Sequence, residues 1–249
     1  MPIGWWLVLP MATWVIYSAD HLLDVRLRDH VATPHHRFYV RHFRQLLALT
    51  TVGTVSTVGL ALWTLPIRLL VVGTGIGVAA AGYLILAQSQ SLRFVPKEIA
   101  AAAIYTAGIW FGPYLSGRPE RPGTWLLMLV HLLAALANLV VYSLFEHDSD
   151  REGLQRSLVR DWGKTGALRV LSAASIAGTL LAVAGMLAGP ARLVPFHGVL
   201  LLLAQLPLAM WHMRKYFGRR QRYRVVGDLA FLAMLAPAAA GAAYGTGVP

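Results

Sequence analysis

The sequence predicts an all-α integral membrane bundle, and three observations support that fold class. The chain of 249 residues is 57% hydrophobic and only 13% charged, whereas soluble domains carry roughly 25% charged residues. Its mean hydropathy is +0.56. Apolar runs recur at the length of about 20 residues that crosses a bilayer. The overall length suits one compact domain over residues 1–249.

Eight apolar windows predict eight transmembrane helices. They fall at residues 3–19, 46–65, 69–87, 99–115, 125–145, 167–187, 198–211 and 229–244. Proline and glycine mark several joints between them, at Pro66, Pro96 and Gly189-Pro190. Cysteine is absent, which excludes disulfides, thiolate metal sites and a cysteine nucleophile.

The basic residues predict the orientation of these helices. Of the 22 lysines and arginines, 18 fall on one side of the eight windows. The positive-inside rule makes that side cytoplasmic, so both termini are expected outside. The net charge of +11 follows from this topology and from attraction to anionic membrane lipid. We therefore expect no nucleic-acid partner.

Two short acidic clusters interrupt the otherwise apolar or basic chain. The first acidic cluster is Asp20 and Asp24, and the second is Glu146, Asp148 and Asp150. Each follows a long apolar run, at the predicted cytoplasmic end of a span. With Asp29, Glu152 and Asp161 nearby, these regions hold eight of the 11 acids in the chain. Carboxylates at a membrane edge are costly, which favours a functional role for both clusters.

The spacing within each cluster favours a bound cation. Carboxylates four residues apart share one face of a helix, and like charges at that distance repel unless a cation neutralises them. Hard oxygen ligands suit Mg²⁺, which one or two carboxylates and substrate phosphates often hold together. Basic side chains beside the clusters can bind the remaining phosphate oxygens. These candidates are Arg93, Lys97, Arg156 and Lys164. The competing interpretation is a pair of charged helix ends with topogenic loops.

Two tyrosines precede the clusters at similar offsets. Tyr17 and Tyr142 lie near the ends of the first and fifth windows. Tyrosine is enriched at membrane interfaces, where it anchors a helix end. The same positions also allow both side chains to line a site formed by the clusters, and the sequence leaves the two roles open.

These motifs resemble those of the UbiA superfamily of intramembrane prenyltransferases. That family pairs an Asn-x-x-x-Asp-x-x-x-Asp motif with a second acid-rich motif four helices later. Here Ile16-x-x-x-Asp20-x-x-x-Asp24 ends the first window, and Glu146-His147-Asp148-Ser149-Asp150 ends the fifth. Gly153, Arg156-Ser157 and the stretch from Arg93 to Lys97 match further family features. The resemblance covers the arrangement of nearly the whole chain. It departs where Ile16 replaces the asparagine, where Glu146 replaces an aspartate, and in having eight helices rather than nine.

The resemblance implies a UbiA-like bundle whose active-site cavity opens at the cytoplasmic face. It implies Mg²⁺-dependent ionisation of an isoprenyl diphosphate and transfer of the prenyl group to an aromatic, quinone-like or lipid acceptor that enters from the bilayer. The implied metal ligands are Asp20, Asp24, Glu146, Asp148 and Asp150, with Asp20, Asp24, Glu146 and Asp150 as the catalytic set. The implied substrate-binding residues are Arg93, Lys97, Arg156, Lys164, Tyr17 and Tyr142.

Two further functions remain open. The altered first motif also suits a membrane terpene cyclase on the same scaffold, in which the allylic cation is quenched within its own chain. A non-catalytic lipid-binding descendant is the third possibility, because Ile16 supplies no metal ligand. A transporter is disfavoured, since its charged sites belong near mid-membrane on broken helices.

Overall fold

A computed structural model describes residues 4–27, 34–88, 96–116, 122–152 and 157–234. These residues are almost entirely helical, and no strand occurs among them, so the all-helical prediction is confirmed for the described chain. The chain falls into two compact units. The first comprises residues 1–118 and 148–156, and the second comprises residues 119–147 and 157–249.

Among the described residues, the first unit contains five whole helices and the last residues of the helix Pro122–Glu152. The five whole helices are α1 (Trp5–Leu27), α2 (Pro34–Arg41), α3 (Phe43–Thr64), α4 (Ile67–Gln88) and α5 (Lys97–Ser116). α1 packs against α3, and α4 packs against α5. α3 ends at the residue before Leu65-Pro66 because proline disfavours a helical residue in front of it, and Leu65 is accordingly extended (φ −97°, ψ 138°). Trp5 and Leu69 are buried in a small apolar core beside this joint.

The second unit is also helical. Its long helices are α6 (Pro122–Glu152), α7 (Leu158–Ala188) and α8 (Val194–His212), followed by the short helices α9 (Arg214–Phe217) and α10 (Arg222–Ala230). Three 3₁₀ turns lie at Ala191–Leu193, Arg219–Gln221 and Phe231–Met234. α7 and α8 approach closely at Gly185, where an added Cβ would lie 2.1 Å from the buried ring of His197. Val140, Leu171 and Met210 contribute fully buried side chains to the main core.

Five of the described helices are long and apolar enough to cross a membrane, which is consistent with an integral membrane protein. They span Phe43–Thr64, Ile67–Leu86, Trp125–His147, Leu158–Ala188 and Ala191–His212. They coincide with the predicted windows 46–65, 69–87, 125–145, 167–187 and 198–211. The share of buried residues is 56% in the α6 segment but only 11% in the α3 segment. α6 is therefore enclosed by protein, whereas α3 presents most of its apolar side chains outward.

The remaining three predicted windows match the described helices less closely. α1 and α5 correspond to windows 3–19 and 99–115, but neither is among the five described helices that are long and apolar enough to cross a membrane. Window 229–244 begins in α10, and its residues from 235 onward lie outside the described residues. The sequence pattern also missed the short helices α2, α9 and α10, because they lack a long apolar run.

Both helices that carry the acidic clusters continue past the windows predicted for them. α1 extends to Leu27 and includes Asp20 and Asp24, and α6 extends to Glu152. No glycine or proline interrupts either stretch before those ends, so nothing in the local sequence stops the helix. α7 begins before its window and contains a break at Gly163, whose φ of +72° favours glycine.

Candidate functional site

The first acidic cluster lies on one face of α1, near the cytoplasmic end predicted for that helix. Asp20 and Asp24 are partly buried and are separated by about one helical turn. Both carboxylates interact electrostatically with the hydroxyl of Tyr83 on α4. That hydroxyl donates a hydrogen bond to the backbone carbonyl of Lys97, the first residue of α5 (3.3 Å). The cluster is thus adjacent to one of the predicted phosphate-binding residues.

A third carboxylate joins this group from α5. Glu98 is only 3% exposed, and it also interacts electrostatically with Tyr83. The carboxylates of Asp20, Asp24 and Glu98 therefore all lie within electrostatic range of one phenol hydroxyl. Sequence reasoning missed Glu98 because a single acid in the first turn of a helix is ordinarily explained by the helix dipole. The signal available in the sequence was that Glu98 is the one acid of an otherwise apolar segment and directly follows Lys97.

Tyr17 belongs to a row of rings beside the first acidic cluster. Its ring centroid lies 4.3 Å from that of His21, and His21 lies 5.0 Å from Tyr39 of α2. The Nδ1 of His21 donates to the Tyr17 carbonyl oxygen at 2.9 Å. Burial raises the pKa of the Tyr39 hydroxyl, and a hydrogen bond with Ser18 partly opposes that rise. Tyr17 is itself exposed, so both predicted roles, interface anchor and site wall, stay predictions.

In the second acidic cluster, Glu146 is bound by α10. Its Oε1 accepts hydrogen bonds from the Tyr223 hydroxyl (2.9 Å) and from the Nε of Arg224 (2.8 Å). The Nη2 of Arg224 lies 2.6 Å from the same oxygen. Burial raises the pKa of Tyr223, and the neighbouring Glu146 carboxylate raises it further. Glu146 is thus the negative half of an ion pair that joins α6 to α10.

Tyr142 extends this contact one turn along α6. Its hydroxyl donates to the Oδ1 of Asp228 (2.8 Å) and to the carbonyl oxygen of Arg224 (3.1 Å). α10 approaches so closely here that a Cβ on Gly227 would lie 2.2 Å from the Tyr142 oxygen. The ring of Phe145 stacks on Tyr223 with centroids 4.4 Å apart. These contacts hold α10 against α6, and neither sequence motif indicated them.

The other predicted residues are placed only in part. Lys164 is exposed on α7, directly after the break at Gly163. Asp148 and Asp150 lie on the last turns of α6, but their side chains are outside the described residues. Arg93 and Arg156 are outside them altogether. Asp20 and Asp24 belong to the first unit and Glu146 to the second, while Asp148 and Asp150 fall in the first. The convergence of the two clusters on one cavity therefore stays a prediction.

The carboxylates of α1 match the chemistry of Mg²⁺. No group of three or more histidine, aspartate or glutamate side chains within the described ranges is arranged to hold a metal ion. Asp20 and Asp24 nevertheless supply two hard oxygen donors, and Mg²⁺ is commonly held by one or two carboxylates completed by water and substrate phosphates. The donor set thus fits an ion that arrives with a phosphate ligand, rather than one enclosed by protein alone.

Comparison with known proteins found no match for this chain. No family model, no curated protein and no solved structure matches this chain. The resemblance to the UbiA superfamily therefore rests on the two acidic clusters, the residues that follow them and the order of the apolar windows.

Proposed function

We propose that this protein is a UbiA-like membrane enzyme that ionises an isoprenyl diphosphate with Mg²⁺ and transfers the prenyl group to an apolar acceptor. The observation that carries the proposal is the group of charges around Tyr83. Asp20, Asp24 and Glu98 concentrate negative charge at one point of the first unit, beside the first residues of α5. In a chain that otherwise has few acids, such a concentration favours the binding of a cation.

The proposal gives the acidic residues the role of binding Mg²⁺ and the basic residues the role of binding phosphate. Asp20 and Asp24 would hold the Mg²⁺ ion, with Glu146, Asp148 and Asp150 as the ligands of the second acidic cluster. Bound Mg²⁺ would stabilise the charge that develops on the departing diphosphate. Lys97, as a compact point charge, would bind phosphate oxygens together with Arg93, Arg156 and Lys164. Each of these interactions is stronger for a leaving diphosphate than for the intact ester, which is how such a site accelerates ionisation.

The membrane-spanning helices would supply the rest of the site. The proposal includes about eight spans, with the clusters at the cytoplasmic face and both termini outside. The apolar tail of the donor would lie between helices, and the aromatic, quinone-like or lipid acceptor would enter from the bilayer. Outward-facing apolar side chains on α3 and α4 are suited to contact with lipid.

The test is product analysis with a panel of prenyl diphosphates. Membranes containing the protein are incubated with geranyl, farnesyl and geranylgeranyl diphosphate, with Mg²⁺ or with EDTA, and products are identified by mass spectrometry. Transfer to an added acceptor supports the proposal. A hydrocarbon or terpene alcohol formed without acceptor would instead establish the cyclase.

Matched variants assign any turnover to the first acidic cluster. Asp20→Asn and Asp24→Asn should each lower diphosphate release about 10²- to 10³-fold, whereas Asp161→Asn, which alters an exposed carboxylate in the first turn of α7, should leave it unchanged. Diphosphate release at the wild-type rate in both cluster variants would exclude this site. Absence of Mg²⁺-dependent turnover with every donor would favour the non-catalytic lipid-binding alternative.

A further inference from the structure

The carboxylate of Glu146 is unusual in how its partners are distributed. Three donors converge on the single oxygen Oε1, namely the Tyr223 hydroxyl and two nitrogens of the Arg224 guanidinium. A carboxylate oxygen has two lone pairs in its plane, so these donors leave it no free direction for a metal ion. Glu146 therefore ligates Mg²⁺ through Oε1 only if Arg224 moves away from it.

The backbone of Arg224 is held in place independently of this ion pair. Its carbonyl oxygen accepts a hydrogen bond from Tyr142, and the neighbouring Asp228 accepts from the same hydroxyl. Gly227 allows the close approach that makes both contacts possible. The Arg224 side chain is 25% exposed. Its guanidinium is thus able to change partner while α10 stays on α6.

The surroundings of Arg224 favour an anion as the alternative partner. The segment from Met213 to Tyr223 contains Arg214, Lys215, Arg219, Arg220 and Arg222 and no acid. Arg219 and Arg220 are exposed. The positive potential of such a segment attracts anions over roughly a Debye length. A diphosphate that approaches Glu146 would therefore be attracted by the basic side chains of this segment.

We propose that Arg224 is a diphosphate-binding residue that pairs with Glu146 when substrate is absent and moves to phosphate oxygens when Mg²⁺ and diphosphate arrive. The exchange replaces one arginine–carboxylate pair by an arginine–phosphate contact and a carboxylate–Mg²⁺ contact, so no charge is left uncompensated. Guanidinium is well suited to it because its fork matches phosphate as well as carboxylate. This inference rests on the proposed function, since it concerns the same diphosphate.

The first experiment measures binding of inorganic pyrophosphate to the purified full-length protein in detergent, by calorimetry with Mg²⁺ present. Arg224→Gln should weaken binding about ten- to hundredfold, the range for one lost charged hydrogen-bonding group, and Arg224→Lys should recover part of it. Arg192→Gln, which alters an exposed arginine in the 3₁₀ turn before α8 and outside the basic segment, should change the affinity less than about twofold, as expected for a screened surface charge. Equal affinity in wild type and Arg224→Gln would overturn the role of Arg224.

The second experiment separates phosphate binding from a purely structural ion pair. Glu146→Gln removes the competing carboxylate, so pyrophosphate without Mg²⁺ should bind several-fold more tightly than to the wild type. A purely structural pair predicts no gain, and that outcome would overturn the exchange. This measurement does not depend on whether the Arg224→Gln variant folds.

A third arm distinguishes failure of this inference from failure of the proposed function. Loss of pyrophosphate binding in Asp20→Asn together with unchanged binding in Arg224→Gln would reject Arg224 alone. Wild-type protein that binds no pyrophosphate with Mg²⁺ would reject both the diphosphate enzyme and the exchange.

Discussion

The two acidic clusters have the same spacing in the sequence but different neighbours in the structure. In the first unit, Asp20 and Asp24 of α1 are joined by Glu98 of α5, and all three act on the hydroxyl of Tyr83. In the second unit, Glu146 of α6 is paired with Arg224 and accepts from Tyr223. The first cluster brings three carboxylates near one phenol, and in the second an arginine of the same chain pairs with the first carboxylate.

This contrast shows how an acidic pattern acquires different roles. Like charges brought together in a region of low dielectric destabilise one another until a cation is supplied. An ion pair offsets part of that cost internally and thereby fixes a neighbouring helix. The first acidic cluster is consequently the better candidate for a standing cation site. The second is the better candidate for a contact that changes when substrate binds.

The largest expected effect is the loss of activity when the first acidic cluster is neutralised. Asp24→Asn should lower kcat/KM for diphosphate release about 10²- to 10³-fold, the usual consequence of removing one electrostatic stabiliser of a transition state. Glu146→Gln should cost less, because Arg224 already compensates that charge in the resting protein. Radiolabelled or mass-spectrometric diphosphate release measures both. An equal or larger loss of kcat/KM in Glu146→Gln would show that the second acidic cluster contributes at least as much to catalysis as the first.

The next largest effect concerns the close approach of α10 to α6. Gly227→Val should destabilise the second unit by about 1–3 kcal/mol, the typical cost of overpacking, because its Cβ would fall 2.2 Å from the Tyr142 oxygen. Hydrogen exchange in α10 should accelerate. Gly77→Val, at a helical glycine with no neighbouring atom within 4 Å, is the control and should leave α10 protected. Unchanged exchange in Gly227→Val would show that the α6–α10 contact is dispensable.

The sequence predicted five long apolar helices well because hydrophobicity over about 20 residues is a strong and local signal. The windows for α3, α4, α6, α7 and α8 all coincide with apolar helices. It predicted helix ends less well, since nothing local distinguishes a helix that stops at the membrane surface from one that continues. α1 and α6 therefore extend through residues that were assigned to the ends of spans.

The candidate site was predictable only where its residues are close in the chain. The pair Asp20 and Asp24 follows from helical periodicity alone. Glu98 is brought to the same phenol by tertiary packing between α1, α4 and α5, which no spacing rule encodes. Arg224 lies 78 residues from Glu146, and it stood among 18 basic residues that topology alone explained. Gly227, which had no visible role in the sequence, permits the close contact between α10 and Tyr142 that accompanies this pairing.

A smaller effect is expected from the ion pair between Glu146 and Arg224. A double-mutant cycle with Glu146→Gln and Arg224→Gln should give a coupling of about 1 kcal/mol, between the values for exposed and for buried pairs. Both side chains are partly exposed, at 21% and 25%, so salt should weaken the coupling. Thermal unfolding in detergent at low and high ionic strength measures it. Zero coupling at low salt would show that the ion pair between Glu146 and Arg224 does not stabilise the folded protein.

The smallest effect is a difference between two buried tyrosines at alkaline pH. Burial raises the pKa of both Tyr39 and Tyr223. At Tyr39 a hydrogen bond with Ser18 partly opposes that rise, whereas at Tyr223 the carboxylate of Glu146 adds to the rise and Arg224 partly opposes it. A raised pKa in the folded protein means that folding favours the protonated phenol. Its stabilising contribution is complete below the ordinary tyrosine value of about 10 and is lost as pH rises above it. The stability lost between pH 9 and 11 should therefore shrink more in Tyr223→Phe than in Tyr39→Phe, as measured by chemical unfolding. The opposite order would mean that the charge of Glu146 does not reach the Tyr223 hydroxyl.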